Sequence, residues 1–350
     1  MESPNSGTNE SVQQLGVSYP IDFTGFADDI LQGRRGRLLN DGTLLNHYGP
    51  LLGWQRYRMH QALFILGLLQ KWDGNHDAIT GKVALRESRN LLASGNQFDA
   101  DSLGFPTSFT ILGYKLSPIW YSALTQSFCA SAFCRVGVID GDDSWIEHGK
   151  QAMRYVMHSR QLRTPDPRSG GYWYQEYPTD PPTPVLNGHM YAVIGFLDVG
   201  RASHDQEYIE YFEKGISALC ANLPSFDANG LALYDAARRI LAKPYYQRLH
   251  VKQLRFLEGV TGEPRLGEFA DKWEKGFQER WGMHSWTSYA EKTLQSGLRL
   301  EGVRFPLSYL SYALGDSGFS IVPKLLSLSG NNPPSPMSTD QQPAEASRRP

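Results

Sequence analysis

Cysteine is scarce in this 350-residue chain, which has only Cys129, Cys134 and Cys220. The odd number and the lack of any Cys-x-x-Cys pair argue against a disulfide framework and against a structural metal site. All three lie in apolar helical stretches and read as reduced core thiols. No run of about 18 apolar residues occurs, so no membrane-spanning helix is expected. The start, MESPNSGTNE, has neither the basic region nor the apolar region of a secretion leader, and a cytoplasmic location is expected from it. Neither sign of charge is in excess: 34 Lys and Arg against 36 Asp and Glu leave a net charge of −2. A chain that neutralises phosphates needs a surplus of cations, so nucleic acid is not expected as a partner. There is no phosphate-binding glycine loop and no convincing dinucleotide fingerprint, so no cofactor is expected. GDSG at 315–318 has the letters of a serine-protease nucleophile, but a helical chain cannot supply that scaffold, and it reads as a turn. No repeat of fixed period appears.

Aromatic residues and helical periodicity are what the chain does have. Tyr contributes 18 residues and Trp 8, and hydrophobic residues make up 41% of the chain. Apolar residues recur at helical spacing in 57–72, 83–93, 143–159, 207–222 and 266–281. Three further segments, 116–134, 188–198 and 245–257, are enclosed on all faces, since they have few or no charges or are apolar all round. Strand signals are few; GLALYD at 230–235 is the best. Enclosed helices alternate with amphipathic ones along the chain. That order predicts an all-α fold, an (α/α) toroid or incomplete barrel with an inner and an outer ring of helices over 21–328. Residues 1–20 and the Pro/Ser-rich tail 329–350 are expected to be disordered.

Four loops deliver polar and aromatic side chains to the starts of the enclosed helices. The densest is GYWYQEYPTDPPTPVLNG, 171–188. Its four prolines stiffen the backbone and aim Tyr174, Glu176 and Tyr177 at the mouth of a ring. The same residues also fit a packed rim with Asn187 capping the helix near Gly188. A second set is Tyr234-Asp235, Arg238, Arg239 and YYQRLHVKQL at 245–254. Here His250 follows Tyr246 by one turn and shares its face, although a lone His on a packed helix is more often a core residue. A third, YKLSPIWYSALTQ at 114–126, places Lys115 and Tyr121 around a proline suited to a helical first turn. A fourth, NHYGPLLGWQRYRMHQ at 46–61, interleaves aromatics with Arg56 and Arg58. Tyr, Arg, Lys and Glu gathered at one end of a ring suit a carboxylated, sugar-like ligand, because guanidinium forks bind carboxylates and aromatic faces take sugar rings.

Three of these stretches carry a longer pattern. WYSALTQS (120–127), WYQEYPTDPPTPVLNGHMYAVIGFLDV (173–199) and YD followed by YYQRLHVKQL (234–254) together resemble the C-terminal domain of the D-glucuronyl C5-epimerase family. The middle stretch matches without a gap from Glu176-Tyr177-Pro178-Thr179 to Leu186-Asn187-Gly188. The resemblance spans roughly 45–280. It implies cofactor-independent conversion of D-glucuronic to L-iduronic acid within a polysaccharide, on an (α/α) toroid. By position it implies catalytic roles for Glu176, Tyr177, Tyr234 and Tyr246 and substrate contact by Asn187. Arg238, Arg239, Tyr121, Lys115 and His250 complete the expected substrate site. Two positions depart from the family pattern: Ala237 stands where its arginine stands, and Gln247 where its histidine follows the tyrosine. The β-rich domains that precede the toroid in animal members are missing from this sequence. A uronate polysaccharide or oligosaccharide is the expected partner, and relatives' dimers imply a homodimer. A lyase working through the same C5 carbanion and a non-catalytic uronate-binding protein are the alternatives.

Overall fold

The computed structural model describes residues 15–281 and 299–300, which belong to one compact unit. The expected GDSG turn and the expected tail lie outside the described residues, as does most of 282–328.

Ten α-helices are present among the described residues: α1 (Thr24–Leu31), α2 (Gly49–Leu52), α3 (Arg58–Asn75), α4 (Ala78–Leu92), α5 (Ala123–Asp140), α6 (Ser144–His158), α7 (Leu186–Ser203), α8 (Gln206–Asn222), α9 (Pro244–Thr261) and α10 (Pro264–Trp281). The strands are short: β1 (Arg37–Leu38), β2 (Leu44–His47), β3 (Trp54–Arg56), β4 (Asn96–Gln97), β5 (Leu103–Gly104), β6 (Arg163–Pro165), β7 (Tyr172–Tyr174), β8 (Leu233–Asp235), β9 (Ile240–Leu241) and β10 (Arg299–Leu300). β1, β2 and β3 form one antiparallel sheet, with Leu45 opposite Arg56 and His47 opposite Trp54. β10 lies parallel to β9.

Helices from α3 to α10 pair as four hairpins, α3/α4, α5/α6, α7/α8 and α9/α10. The first of each pair also packs on the next, in the order α3, α5, α7, α9. This is the all-α toroid that the alternation of enclosed and amphipathic segments predicts. α5 and α7 are buried along nearly all their residues, whereas α6 and α8 bury one stripe each; so does α9, and the expected enclosure of 245–257 on all faces does not hold, because Tyr245, Arg248 and Arg255 are exposed. The hairpins turn by a repeated local device. Each inner helix ends on a left-handed residue, His76, Gly141, His204 or Gly262, that points the chain straight into the outer helix. Asp77 and Asp205 then cap α4 and α8, accepting from backbone N–H groups of the first turn. Gly195 lets α5 and α7 meet; a Cβ there would stand 2.5 Å from that of Ser127.

Three expected boundaries move. The enclosed helix expected over 116–134 starts at Ala123 and runs to Asp140. Residues before it are committed to other backbone partners: Thr107 and Trp120 exchange hydrogen bonds at 2.7 and 3.2 Å, and the Trp120 indole donates to the Phe109 carbonyl. Pro118 is therefore in a loop, not in a helical first turn. The strand at 230–235 shortens to Leu233–Asp235. The packed chain begins before residue 20, because Leu15 and Tyr19 are buried. The Tyr19 ring lies among Phe23, Phe128 and Tyr191, and its segment ties to α3 where Gln70 bonds to Tyr19, Ile21 and Phe23.

Candidate active site

The N-terminal ends of α3, α5, α7 and α9 converge. Tyr57 precedes α3; it is buried and within electrostatic reach of Glu176. The N–H of Ala123, which opens α5, donates to the carbonyl of Gln175, beside Glu176. Asn187 lies in the first turn of α7 and Tyr246 in the first turn of α9. Four helix starts put partial positive charge at one place, which favours an anion there.

At the centre is a hydrogen-bonded chain. The Glu176 carboxylate, 4% exposed, accepts from the Tyr234 hydroxyl at 3.0 Å and from Asn187 Nδ2 at 3.3 Å. Tyr234 and Tyr177 hydroxyls are 3.1 Å apart. The Tyr246 ring lies 4.8 Å from that of Tyr234. Tyr177 and Tyr246 are half-buried, so they form the outer edge, while Glu176 and Tyr234 form the floor. Burial first, and the Glu176 charge second, push the Tyr177 phenol well above its ordinary value of 10. It is a neutral hydroxyl at working pH, and therefore a proton donor. Tyr191 of α7 is raised in the same way, mainly by burial, with Tyr246 and Glu176 among its neighbours. Gly188 allows the carboxylate to sit where it does, since a Cβ there would fall 2.4 Å from Glu176 Oε2.

Asn187 does not cap its helix. α7 starts one residue earlier, at Leu186, with Val185 in the cap position and no side-chain cap bond. This frees the Asn187 amide to hold Glu176. Its Oδ1 is buried without a hydrogen-bond partner among the described residues, as are Gln253 Oε1 and both ring nitrogens of His250. Tyr246, His250 and Gln253 share one face of α9, and Gln253 donates to the Asn187 carbonyl at 3.3 Å. Burial lowers His250 to about 3, so its imidazole is neutral. These atoms leave hydrogen-bonding capacity beside the carboxylate for water or ligand.

The remaining expected residues are dispersed. The Arg238 guanidinium stacks 3.9 Å over the Tyr114 ring, and that ring lies 3.9 Å from Tyr177. Two groups so close to one centroid cannot share a face, so Tyr114 is sandwiched. Tyr114 donates to Asp235 at 3.1 Å, and Arg238 stands 3.6 Å from the same carboxylate. Arg238 therefore supports Tyr177 from behind. Arg239 is exposed with φ of 53°, and Lys115 is exposed at φ of 54°; neither joins the cluster. Tyr121 accepts from Asn96 at 2.9 Å and packs on Phe98 and Tyr155, toward the outer ring. The aromatic Tyr172 and Tyr174 are packing residues: Tyr174 donates to the Tyr211 carbonyl and Tyr172 stacks on the Tyr211 ring. Tyr57, Tyr114 and Tyr191 join the site without having been singled out from the sequence. For Tyr57 the signal was there, a tyrosine at an inner-helix start, as for Tyr246.

The profile of the family described as D-glucuronyl C5-epimerase C-terminus matches residues 99–275, half of the chain. The chain belongs to this family. The match takes in the site residues from Tyr114 to Gln253 and leaves out Tyr57, α1 to α4 and the β1–β3 sheet. A D-glucuronyl C5-epimerase of Caenorhabditis elegans is 27% identical over 199 residues, 51% of this chain and 32% of that protein. An uncharacterised protein of Methanocaldococcus jannaschii is 25% identical over 173 residues, 46% of this chain and 54% of its own length. The chain thus spans between about a third and about half of these relatives. The Lin0763 protein from Listeria innocua superposes with a TM-score of 0.51 at 11% identity, covering 76% of this chain and 73% of its own, a likeness of fold alone.

Proposed function

We propose that this protein epimerises uronic acid residues at C5 within a polysaccharide, D-glucuronic to L-iduronic, by proton removal from one face and return to the other. The observation that carries the proposal is the Glu176–Tyr234–Tyr177 hydrogen-bonded chain with Tyr246 against Tyr234. A proton α to a charged carboxylate is weakly acidic, so the site must stabilise the enolate-like state that follows its loss. The four converging helix starts and the neutral phenol of Tyr177 supply partial positive charge and a donor for that purpose.

Glu176, as base, takes the C5 proton and becomes a carboxylic acid. Tyr246 gives its phenolic proton to the opposite face of C5 and becomes a phenolate. Water at the mouth then takes the proton from the acid, by way of the Tyr234 and Tyr177 hydroxyls, and returns one to half-buried Tyr246, which restores both groups. Run backwards, the same groups convert the product. Asn187 orients the carboxylate, and Arg238 with Tyr114 fixes Tyr177. No step draws on Ala237 or Gln247, whose amide is bonded to the Ala232 backbone.

Deuterium incorporation at C5 of an unsulfated glucuronate polymer in D2O tests the proposal. Wild type is expected to form C5-deuterated L-iduronate, and Tyr246→Phe to lose it by about 10²- to 10⁴-fold. Deuterated L-iduronate formed at the wild-type rate by Tyr246→Phe would refute the assignment, and an unsaturated uronate product would place the protein among lyases instead.

A further inference from the structure

Ahead of residue 99 the chain carries a surface that the proton-transfer cluster does not use. Trp54 on β3 is exposed, with the Arg37 guanidinium 4.2 Å over its ring and the cross-strand His47 ring 5.2 Å away, edge-on. Arg37 ends the run Gly33-Arg34-Arg35-Gly36-Arg37. Arg34 pairs with Asp29 at 2.7 Å. Arg35 and Arg37 have no carboxylate partner among the described residues, and neither does Arg58, whose Nη1 reaches only Ser108 Oγ, at 3.3 Å. Arg35 stacks over Phe26, and its charge reaches His60 and Tyr245, where burial is the larger influence, lowering the one and raising the other. Tyr245 is the neighbour of Tyr246, so this run reaches the rim of the site at the first turn of α9.

The sheet is joined to the site by packed rings. Tyr48 follows His47, and Tyr57 follows β3. Their rings lie 4.8 and 5.2 Å from Phe109, and Tyr57 is within electrostatic reach of Glu176. Packed rings therefore run from Tyr57 over Phe109 to Tyr48, whose chain neighbour His47 meets Trp54.

We propose that the β1–β3 sheet is a subsite for a carboxylated sugar outside the reacting residue. Trp54 is the platform for a pyranose ring on the face that Arg37 does not cover, and Arg37 and Arg35 take the carboxylates of neighbouring uronates. A flat ring with a cation fixed over it suits a sugar that is apolar on its face and anionic at its edge. The net charge of −2 does not suit a phosphate polymer. The proposal rests on the epimerase reading for the identity of the polymer, and it makes the protein selective for long chains.

The test is binding of a fluorescent unsulfated glucuronate–N-acetylhexosamine polymer and of its trisaccharide, with urea midpoints as the folding control. Trp54→Ala and Arg37→Gln are each expected to weaken polymer binding about tenfold and to leave trisaccharide binding within about twofold. Arg37→Gln and Arg35→Gln are expected to flatten the salt dependence of polymer binding. Unchanged polymer affinity overturns the proposal, as does equal loss for both ligands. Equal affinity for a single-stranded oligonucleotide, lost on the same substitutions, would show a nucleic-acid surface instead and also overturns it. Polymer binding that depends on Trp54 without C5 exchange by wild type would keep the subsite and refute the epimerase chemistry. Exchange with a polymer affinity indifferent to Trp54 would do the reverse.

Discussion

Two buried polar clusters share the inner helices α5 and α7, and they are built on opposite principles. At the mouth, Glu176 is held by neutral donors, the Tyr234 phenol and the Asn187 amide, under a rim of half-buried tyrosines. About 16 Å further along α7, Asp198 takes two bonds from Arg135 of α5 at 2.6 and 3.0 Å, with both side chains 2% exposed. Tyr19 lies under that guanidinium, its centroid 4.9 Å away. Burial acts to lower the pKa of Arg135, yet the facing Asp198 charge holds it above the ordinary value. The pair at the floor matches one charge with another. The cluster at the mouth holds its carboxylate through neutral groups, one of them a phenol that can give and take a proton. A buried charge alone therefore does not mark a site; the kind of partner does.

The sharpest way to break this comparison is to substitute one carboxylate at each end. Asp198→Asn leaves Arg135 buried without its counter-ion and is expected to cost about 3–5 kcal/mol, read as a fall in the urea midpoint. Glu176→Gln is expected to abolish C5 exchange while moving stability by about 1 kcal/mol or less. Equal stability losses would show that both clusters are structural.

Gly188→Ala separates position from chemistry. The added methyl would fall 2.5 Å from Glu176 Cβ and displace the carboxylate without removing it. Exchange is expected to drop about a hundredfold, as it does when a reacting group is misplaced by about 1 Å. Exchange at the wild-type rate would mean that the position of Glu176 is not critical.

A third contrast concerns pH. Burial lowers His189 and His250 to about 3 from 6.5. The unfolded chain therefore binds more protons between those values, and stability is full above about 6.5 and falls as pH drops toward 3. Each imidazole is expected to contribute up to about 1.4 kcal/mol per pH unit in that window. Urea midpoints between pH 7 and 4 check it, and His189→Gln or His250→Gln should flatten the slope. His189, bonded to Tyr174 N–H and facing the Gly215 carbonyl, is the structural control for His250.

Most of the helices were legible in the sequence because periodicity reports which faces an element buries, and the spacing from Glu176 to Asn187 and from Tyr234 to Tyr246 was legible as a family pattern. The side chains that the structure disperses, Lys115, Tyr121 and Arg239, stand just outside regular elements. There, direction depends on where a helix begins and on backbone conformation. Starting α5 at Ala123, well after 116, turns Tyr121 toward the outer ring, and left-handed backbones at Lys115 and Arg239 point both to solvent. Asn187 shows the same dependence: a one-residue earlier helix start changes it from a cap into a ligand of Glu176.

By itself the sequence determined the alternation of inner and outer helices, the lack of charge surplus and the residue types available at each inner-helix start. These follow from local periodicity and composition, which require no knowledge of what lies across the ring. Only the tertiary structure decided that Glu176 meets Tyr234 across 58 residues, that Arg238 works through Tyr114, and that Arg135 and Asp198 cancel at the floor. Such contacts depend on the rotation of one helix against another, which is set by packing summed over many small terms and is invisible in any single stretch of chain.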